Sequence, residues 1–212
     1  MSLITILLYF IGNLNLKSGN FKDALNDFDR ALDFAVELED WDGQRYAVYN
    51  KGLAYLELNA IDDAIKASKE LKELCQKSLN KKIMRMHHNL NGLIELKKGN
   101  HASAIESIKK AISLDSNVFK DYIDSLALAY YISGDLDNAI AEYEKLISCP
   151  RGMLRYGFEY VDGFYMLGKI CEQKGDTAKA IENYEKFLGI MKNADPGIAE
   201  VEDARNRLAG LN

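Results

Sequence analysis

The side chains that most often carry out catalysis or bind metals are few in this 212-residue sequence. The histidines are His87, His88 and His101, and the cysteines are Cys75, Cys149 and Cys171. Adjacent histidines on a predicted helix point in different directions, so they do not converge on one ligand. The cysteines are odd in number, widely spaced and without a C-x-x-C pair, which indicates neither a disulfide framework nor a zinc site. We expect free thiols in a reducing compartment, and a cytoplasmic location.

Paired carboxylates are the other candidates for chemistry. Asp62 and Asp63, like Asp121 and Asp124, fall near predicted helix starts, where acidic side chains complement the helix dipole. The sequence contains no glycine-rich phosphate loop, no nucleophile elbow and no H-E-x-x-H motif. We therefore predict no catalytic, cofactor-binding or metal-binding residue, and we interpret the chain as a non-enzyme.

The net charge of −5 disfavours nucleic-acid binding, which needs many clustered cations. One stretch differs, because residues 66–110 carry 11 Lys and Arg against 4 Asp and Glu. Six of these cations are expected to cluster around one part of the fold: Lys77, Lys81, Lys82, Arg85, Lys97 and Lys98. They form either a solvated face or a surface that steers an acidic partner or a head-to-tail contact.

The N-terminal segment is apolar but has no cationic residues before it and is too short for a transmembrane helix, so we expect no membrane association. It carries two apolar stripes at helical spacing. The first, expected in the core, is Ile4, Leu7, Leu8 and Ile11; the second is Leu3, Ile6, Phe10 and Leu14. One stripe is enough for packing within a helix pair. The second predicts a contact with an upstream segment or with another copy of the chain.

An internal repeat organises the whole chain. A small residue is followed seven positions later by a turn residue, and five positions after that by an alanine. The five copies are Gly12/Gly19/Ala24, Gly52/Asn59/Ala64, Gly92/Gly99/Ala104, Ala127/Gly134/Ala139 and Gly168/Gly175/Ala180. The turn residue tolerates left-handed backbone at a helix end, and the Asn or Asp that usually follows it can cap the next helix. The small residues allow two antiparallel helices to cross closely.

Larger apolar residues follow each turn at helical spacing and are the predicted core. They are Phe21, Leu25, Phe28, Leu32, Ile61, Ile65, Leu71, Ile105, Ile108, Ile112, Leu136, Ile140, Tyr143, Leu146, Ile181, Tyr184, Phe187 and Leu188. With only two prolines and no low-complexity linker, the sequence predicts one all-α domain.

These columns resemble the tetratricopeptide repeat family, most clearly in Gly52-Leu-Ala-Tyr55 with Ala64 and in Ala127-Leu-Ala-Tyr130 with Ala139. The early tryptophan of the family is missing, since Trp41 falls in a predicted connection. The resemblance implies a right-handed α-solenoid of about five helix pairs, with a C-terminal capping helix, over residues 1–212. The expected repeats are 5–38, 45–78, 85–115, 120–150 and 158–193. The capping helix is expected over 196–210, with Asp195 as its cap and Pro196 at its first turn.

The longer intervals between copies are similar to those of kinesin light chains, and the last repeat resembles the C-terminal repeat region of a bacterial multidomain regulator. The family therefore implies a non-enzymatic scaffold, part of a larger regulatory protein, that binds a peptide or protein partner in a concave groove. The alternatives are a self-associating structural module and an enzyme with an unrecognised site.

Carrying the family pattern onto this sequence gives the expected groove. Its residues are Ile6, Tyr9, Asn13, Tyr46, Tyr49, Asn50, Leu53, Leu56, Met86, Asn89, Leu93, Asp121, Asp124, Leu128, Tyr131, Asp162, Tyr165, Lys169 and Glu172. Leu53, Leu93 and Leu128 have packing between repeats as an alternative role. Asn13 and Asn50 match the asparagines of the carboxylate-clamp subfamily, which binds acidic chaperone tails. The cationic clamp positions hold Tyr9, Met86 and Leu90 instead, so we do not expect clamp binding.

Overall fold

The computed structural model describes residues 2–115, 122–149, 152, 154, 157–194 and 197–211, and in these residues every regular element is helical. Eleven α-helices lie in the described part of the chain: α1 (Leu3–Lys17), α2 (Phe21–Glu37), α3 (Trp41–Glu57), α4 (Ile61–Gln76), α5 (Met84–Lys97), α6 (His101–Ser113), α7 (Ile123–Ile132), α8 (Leu136–Ile147), α9 (Phe158–Gln173), α10 (Thr177–Ile190) and α11 (Ala199–Leu211). A short 3-10 helix, Lys81–Ile83, precedes α5. The all-α prediction of five helix pairs and a terminal helix is confirmed.

The chain forms two compact units, residues 1–117 and 118–212. Unit 1 contains α1 to α6, and unit 2 contains α7 to α11. Within each unit every helix packs against the helix that follows it, and in unit 1 α3 also contacts α1 and α5. Packed helices joined by tight turns run antiparallel, so each pair is an αα-hairpin. The assignment of residues 1–212 to one domain with the repeat bounds given above stays a prediction.

The turn within each pair follows the predicted rule. Gly19, Gly99, Gly134 and Gly175 have φ between +77° and +82°, and Asn59 takes φ +57° in the second pair.

The prediction that the Asn or Asp after the turn caps the next helix is only partly right. Asp135 and Asp176 accept backbone hydrogen bonds as N-caps, but the side chains of Asn20 and Asn100 make no such bond. The Asn100 amide instead donates to Glu95 at 2.7 Å, so it is engaged by the preceding helix.

The first-column glycines lie at helix crossings. A Cβ added to Gly12, Gly92 or Gly168 would come within 2.5–2.6 Å of the large residue sixteen positions later, which is Phe28, Ile108 or Tyr184. Gly52 differs because position 68 is a serine. Its nearest neighbour is Leu90 of the next pair, at 2.5 Å from an added Cβ. The third-column alanines, Ala24, Ala64, Ala104, Ala139 and Ala180, are all 0% exposed. Every residue of the core predicted after the turns is buried or half-buried.

The prediction for the inner face of α1 is wrong. Ile4, Leu7 and Ile11 are 47–52% exposed, and of that stripe only Leu8 is buried. The helix instead turns Thr5, Leu8 and Gly12 toward the core, where Leu8 packs with Ala31 and Ala47. The small Thr5 and Gly12 allow close approach, with Phe28 directly over Gly12.

The terminal helix is shorter than predicted, since it begins at Ala199. Asp195 and Pro196 lie outside the described residues. Val201 and Ala204 are buried, and Ile198, Leu208 and Leu211 pack against the core shared by α9 and α10. The exposed side of α11 carries Glu200, Glu202 and Arg205, so this helix gives the last pair the polar cover that was expected.

Candidate functional site

The first helices of the pairs in unit 1 share a face rich in tyrosine. Tyr9 of α1 and Tyr46 of α3 meet edge to face, with ring centroids 5.7 Å apart. On the next pair of helices, the Asn89 amide of α5 donates to the Tyr49 hydroxyl of α3 at 2.8 Å. Side chains from all three first helices are therefore in contact. We name Tyr9, Tyr46 and Tyr49 the tyrosine face.

The predicted groove residues of unit 1 differ in how far a partner could reach them. Tyr46 is 37% exposed. A second group is half-buried: Ile6, Tyr9, Asn13, Tyr49, Leu53 and Leu93. A third group is buried and belongs to the interior of the unit: Asn50, Leu56, Met86 and Asn89. Leu53 and Leu93 pack against the core of the second and third pairs, as their alternative role requires. The reachable part of the predicted groove in this unit is thus the tyrosine face and its borders.

The clamp asparagines do not present their amides outward. The Asn13 amide donates to the Tyr9 carbonyl and the Asn50 amide to the Tyr46 carbonyl, both at 2.8 Å within their own helices. Two positions that would be cationic in a clamp are buried here, Met86 at 6% and Leu90 at 0% exposure. This arrangement supplies no cationic grip for a carboxylate.

In unit 2 the predicted groove residues surround a buried tyrosine. Asp124, Leu128, Tyr131 and Asp162 are half-buried, and Asp121 lies outside the described residues. Burial raises the pKa of the Tyr143 hydroxyl, and the nearby carboxylates of Asp124 and Asp162 raise it further. This part of the predicted groove therefore has an acidic character, unlike the tyrosine face of unit 1.

The α9 part of the predicted groove is occupied by the terminal helix. Tyr165 is 8% exposed, and its hydroxyl donates to Asp203 of α11 at 2.7 Å. Arg207 of α11 bridges Asp203 at 2.6 Å and Glu172 at 3.1 Å. Lys169 lies over the Tyr165 ring at 5.2 Å. These α9 side chains bind the chain's own last helix, so we remove Tyr165 and Glu172 from the candidate partner surface.

The expected cationic cluster is divided in two. Lys77, Lys81, Lys82 and Arg85 surround the start of α5, whereas Lys97 and Lys98 lie at its end. A helix of this length separates the two groups by about 20 Å, so the prediction of one cluster is wrong. Lys98 is also paired with Glu95 at 2.8 Å. The six cations are near one another in the sequence but not in space, because the length of α5 separates the two groups.

Trp41, which the sequence predicts in a connection, lies on a helix instead. It is the first residue of α3, 46% exposed, with the Lys77 ammonium 5.3 Å from its ring centroid. It borders a cleft of about 540 Å³, also lined by Glu39, Asp40, Asp42, Arg45, Lys77 and Ser78. The signal that could have found it is Asp40, an N-cap residue directly before an aromatic one.

His87 and His88 are half-buried, and Cys75 is buried. His87 Nδ1 lies 3.2 Å from both the Oγ and the carbonyl oxygen of Ser68 in the preceding helix. Burial lowers the pKa of His87, and burial with the nearby Lys110 lowers that of His88 to about 4. Burial also raises the pKa of the Cys75 thiol to about 11, which makes it a poor nucleophile. In the described residues, no group of three or more His, Cys, Asp and Glu side chains is arranged to hold a metal ion.

Comparison with known protein families agrees with the repeat geometry. Residues 11–78 match one tetratricopeptide repeat model, and residues 88–118, 121–148 and 161–192 match a second. The chain belongs to the tetratricopeptide repeat family. Repeats of this family generally mediate protein–protein interaction, and tetratricopeptide repeat proteins are typically non-enzymatic scaffolds. None of the helices described is both long and apolar enough to span a membrane.

One curated relative matches about half of this tetratricopeptide repeat chain. A heat shock protein sti1 homolog of Schizosaccharomyces pombe is 34% identical over 102 residues, which is 47% of this chain and 16% of that protein. The match therefore spans about a sixth of the relative.

Solved structures resemble the chain over most of its length. BtubC (BKLC) of P. vanneervenii has a TM-score of 0.68 at 14% identity, with 90% of this chain and 82% of that chain covered. A thermophilic tetratricopeptide repeat protein of Thermus thermophilus has a TM-score of 0.63 at 18% identity, with 98% of each chain covered. At these identities the likeness shows the fold alone.

Proposed function

We propose that this chain is a protein-interaction module that binds an extended segment of a partner protein on the tyrosine face of unit 1. The observation that carries the proposal is the contact between Tyr9 and Tyr46, which places a reachable aromatic surface across two first helices. Tyrosine offers a large contact area with only two side-chain torsions to fix, and it is enriched at protein interfaces.

The chemistry of the face indicates the kind of segment that it binds. Its borders are Ile6, Asn13, Leu53 and Leu93, none of which is charged. An uncharged aromatic surface favours apolar or aromatic side chains, with backbone groups bonding to the tyrosine hydroxyls. We therefore propose a ligand with apolar anchor residues, and we place the module inside a larger regulatory protein.

The sti1 relative is named a heat shock protein, which raises the question of an acidic chaperone tail. The inward amide of Asn50 and the buried apolar Met86 and Leu90 argue against a carboxylate clamp. Any binding to such a protein would use the tyrosine face, and because its three tyrosines are uncharged we expect it to depend less on salt than binding by a cationic clamp would.

The test compares Tyr46→Ala with Leu58→Ala, since Leu58 is equally exposed at 38% and lies at the end of the same helix. Partners are captured from native lysate by each variant and measured by quantitative mass spectrometry. We expect Tyr46→Ala to reduce the affinity for the true partner about tenfold or more, with Leu58→Ala close to wild type. Equal capture by both variants of every partner would refute the proposal.

A further inference from the structure

A cleft of about 310 Å³ lies in unit 1 between α4 and α5. Its cationic and neutral polar lining consists of Ser68, Lys69 and Lys72 of α4 with His87, Asn91 and Lys98 of α5. We name these six residues the lysine cleft. On each helix they are spaced so that they share one face, and the two faces look toward each other across the cleft.

The lysine cleft and the tyrosine face lie on different sides of α5. Asn89 donates to the Tyr49 hydroxyl, whereas Asn91 lines the lysine cleft. Two positions along an α-helix correspond to a rotation of about 200°, so these asparagines project to nearly opposite sides. The lysine cleft is therefore a second surface, whose side chains can be changed without touching the tyrosines.

A small residue of the second pair leaves room for the cleft. Sixteen positions after the small residue of the first column, the other pairs have Phe28, Ile108, Tyr143 and Tyr184, but the second pair has Ser68. Ser68 is 4% exposed, and its Oγ and carbonyl oxygen each lie 3.2 Å from Nδ1 of His87. These contacts hold the imidazole against α4, where it forms part of the cleft wall.

The charge of the lysine cleft is positive. Lys98 is paired at 2.8 Å with Glu95, which also borders the cleft, so these two charges offset each other. Lys69 and Lys72 are exposed, and within the part of the chain that the structure describes neither of them makes an ion pair. The cleft therefore presents two ammonium groups that no carboxylate of this chain neutralises by contact.

Lys110 of α6 adds a third positive charge from the other side of α5. Burial is the main cause of the lowered pKa of His88, and Lys110, His87 and Lys72 lower this pKa further. The pKa of His87 is also lowered, by burial first and then by Lys72 and Lys110. Because α4 and α6 each pack against α5, the two lysines approach the histidine pair from two different helices.

The number of cations and the shape of the site indicate the class of ligand. Affinity for nucleic acid grows with the number of phosphates neutralised, and polybasic segments that bind anionic lipids usually contain about 4–8 Lys or Arg. Lys69, Lys72 and Lys110 are fewer than that, and two of them line a recess. A recess of this volume, at the lower end for small-ligand pockets, suits individual side chains of an extended peptide.

We propose that the lysine cleft binds an acidic segment of a partner protein, with neighbouring Asp or Glu carboxylates bonded to the ammonium groups of Lys69 and Lys72. This site is additional to the tyrosine face and does not depend on it. Single exposed ion pairs contribute little, so the segment needs several adjacent carboxylates, and its binding weakens as salt screens them.

The binding test is fluorescence anisotropy of a labelled hexaglutamate peptide with the full chain. We expect Lys69→Glu/Lys72→Glu to raise the dissociation constant about tenfold or more, since attraction is replaced by repulsion. Lys81→Glu/Lys82→Glu makes the same change in net charge at exposed positions outside the cleft, and it should bind like wild type. All four lysines are exposed, so circular dichroism should show an unchanged fold in both variants.

Two further measurements locate the peptide. The side-chain NMR signals of His87 should shift as hexaglutamate is added, because this imidazole lines the cleft. Tyr46→Ala should bind hexaglutamate like wild type, which separates this proposal from the one for the tyrosine face. Absence of binding by wild type, an equal loss in the two double variants, or unmoved His87 signals would each overturn the proposal. Binding of phosphatidylserine vesicles or duplex DNA in preference to hexaglutamate would overturn it as well.

Discussion

Gly168→Ala is the substitution whose effect the structure specifies most closely. An added Cβ would lie 2.6 Å from both Cδ1 and Cε1 of Tyr184, where carbon atoms normally remain about 3.5–4 Å apart. Tyr184 is 0% exposed, and its hydroxyl donates to Glu172 at 2.7 Å, so the ring is held at both ends. The ring must therefore move, or α9 and α10 must separate.

The expected change in the free energy of unfolding for Gly168→Ala is the difference between two effects. Overpacking of this kind destabilises a protein by about 1–3 kcal/mol. Replacing a helical glycine by alanine stabilises the helix by up to about 1 kcal/mol. We expect a net loss of about 1 kcal/mol in the free energy of unfolding. Gly189→Ala, in the same unit, meets no atom within 4 Å and should instead stabilise by about 0.5–1 kcal/mol.

The assay is urea unfolding followed by circular dichroism, with hydrogen exchange of α9 and α10 to assign the change to unit 2. A double-mutant cycle with Tyr184→Leu should show that the cost of Gly168→Ala falls when the ring is removed. If both alanine variants stabilise to the same extent, the close crossing at Gly168 is refuted.

Two further substitutions test other features of unit 1. The lowered pKa of His88 means that the unfolded chain takes up a proton below about pH 6.5 while the folded chain resists it until about pH 4. The stabilisation should therefore be present above pH 6.5 and fall by about 1–2 kcal/mol by pH 5, and His88→Gln should reduce that dependence in urea titrations, with a smaller part remaining from His87. Glu39 has φ +51°, which costs a non-glycine residue about 1 kcal/mol, so Glu39→Gly should raise the melting temperature. An unchanged or lower value would argue against strain at this turn.

The parts of the fold that the sequence predicted are those where the backbone restricts residue type. A turn with φ near +80° at Gly99 and a crossing with no room for a Cβ at Gly92 each leave few acceptable residues, so the pattern is visible in every copy. The exception at Gly52 was not predictable. Its neighbour comes from the next pair because Ser68 leaves space that Leu90 fills, and that exchange depends on tertiary packing.

The candidate site was predicted less completely because its members are defined by contacts between distant residues. Tyr165 and Asp203 are 38 positions apart. No local pattern in the sequence indicates that the terminal helix α11 packs against α9, the first helix of the last pair. The inner face of α1 was assigned incorrectly for a related reason. Its apolar residues surround the helix, so periodicity could not distinguish the core side of α1 from its exposed side.

The most direct test of the central claim is site-specific photo-cross-linking from position 46. A benzophenone side chain in place of Tyr46 should capture the partner that Tyr46→Ala loses, with the cross-link mapped to an apolar segment of that partner. The same group at Leu58, at the C-cap of the same helix and off the tyrosine face, should capture none of it. Equal capture from positions 46 and 58 would contradict binding on the tyrosine face.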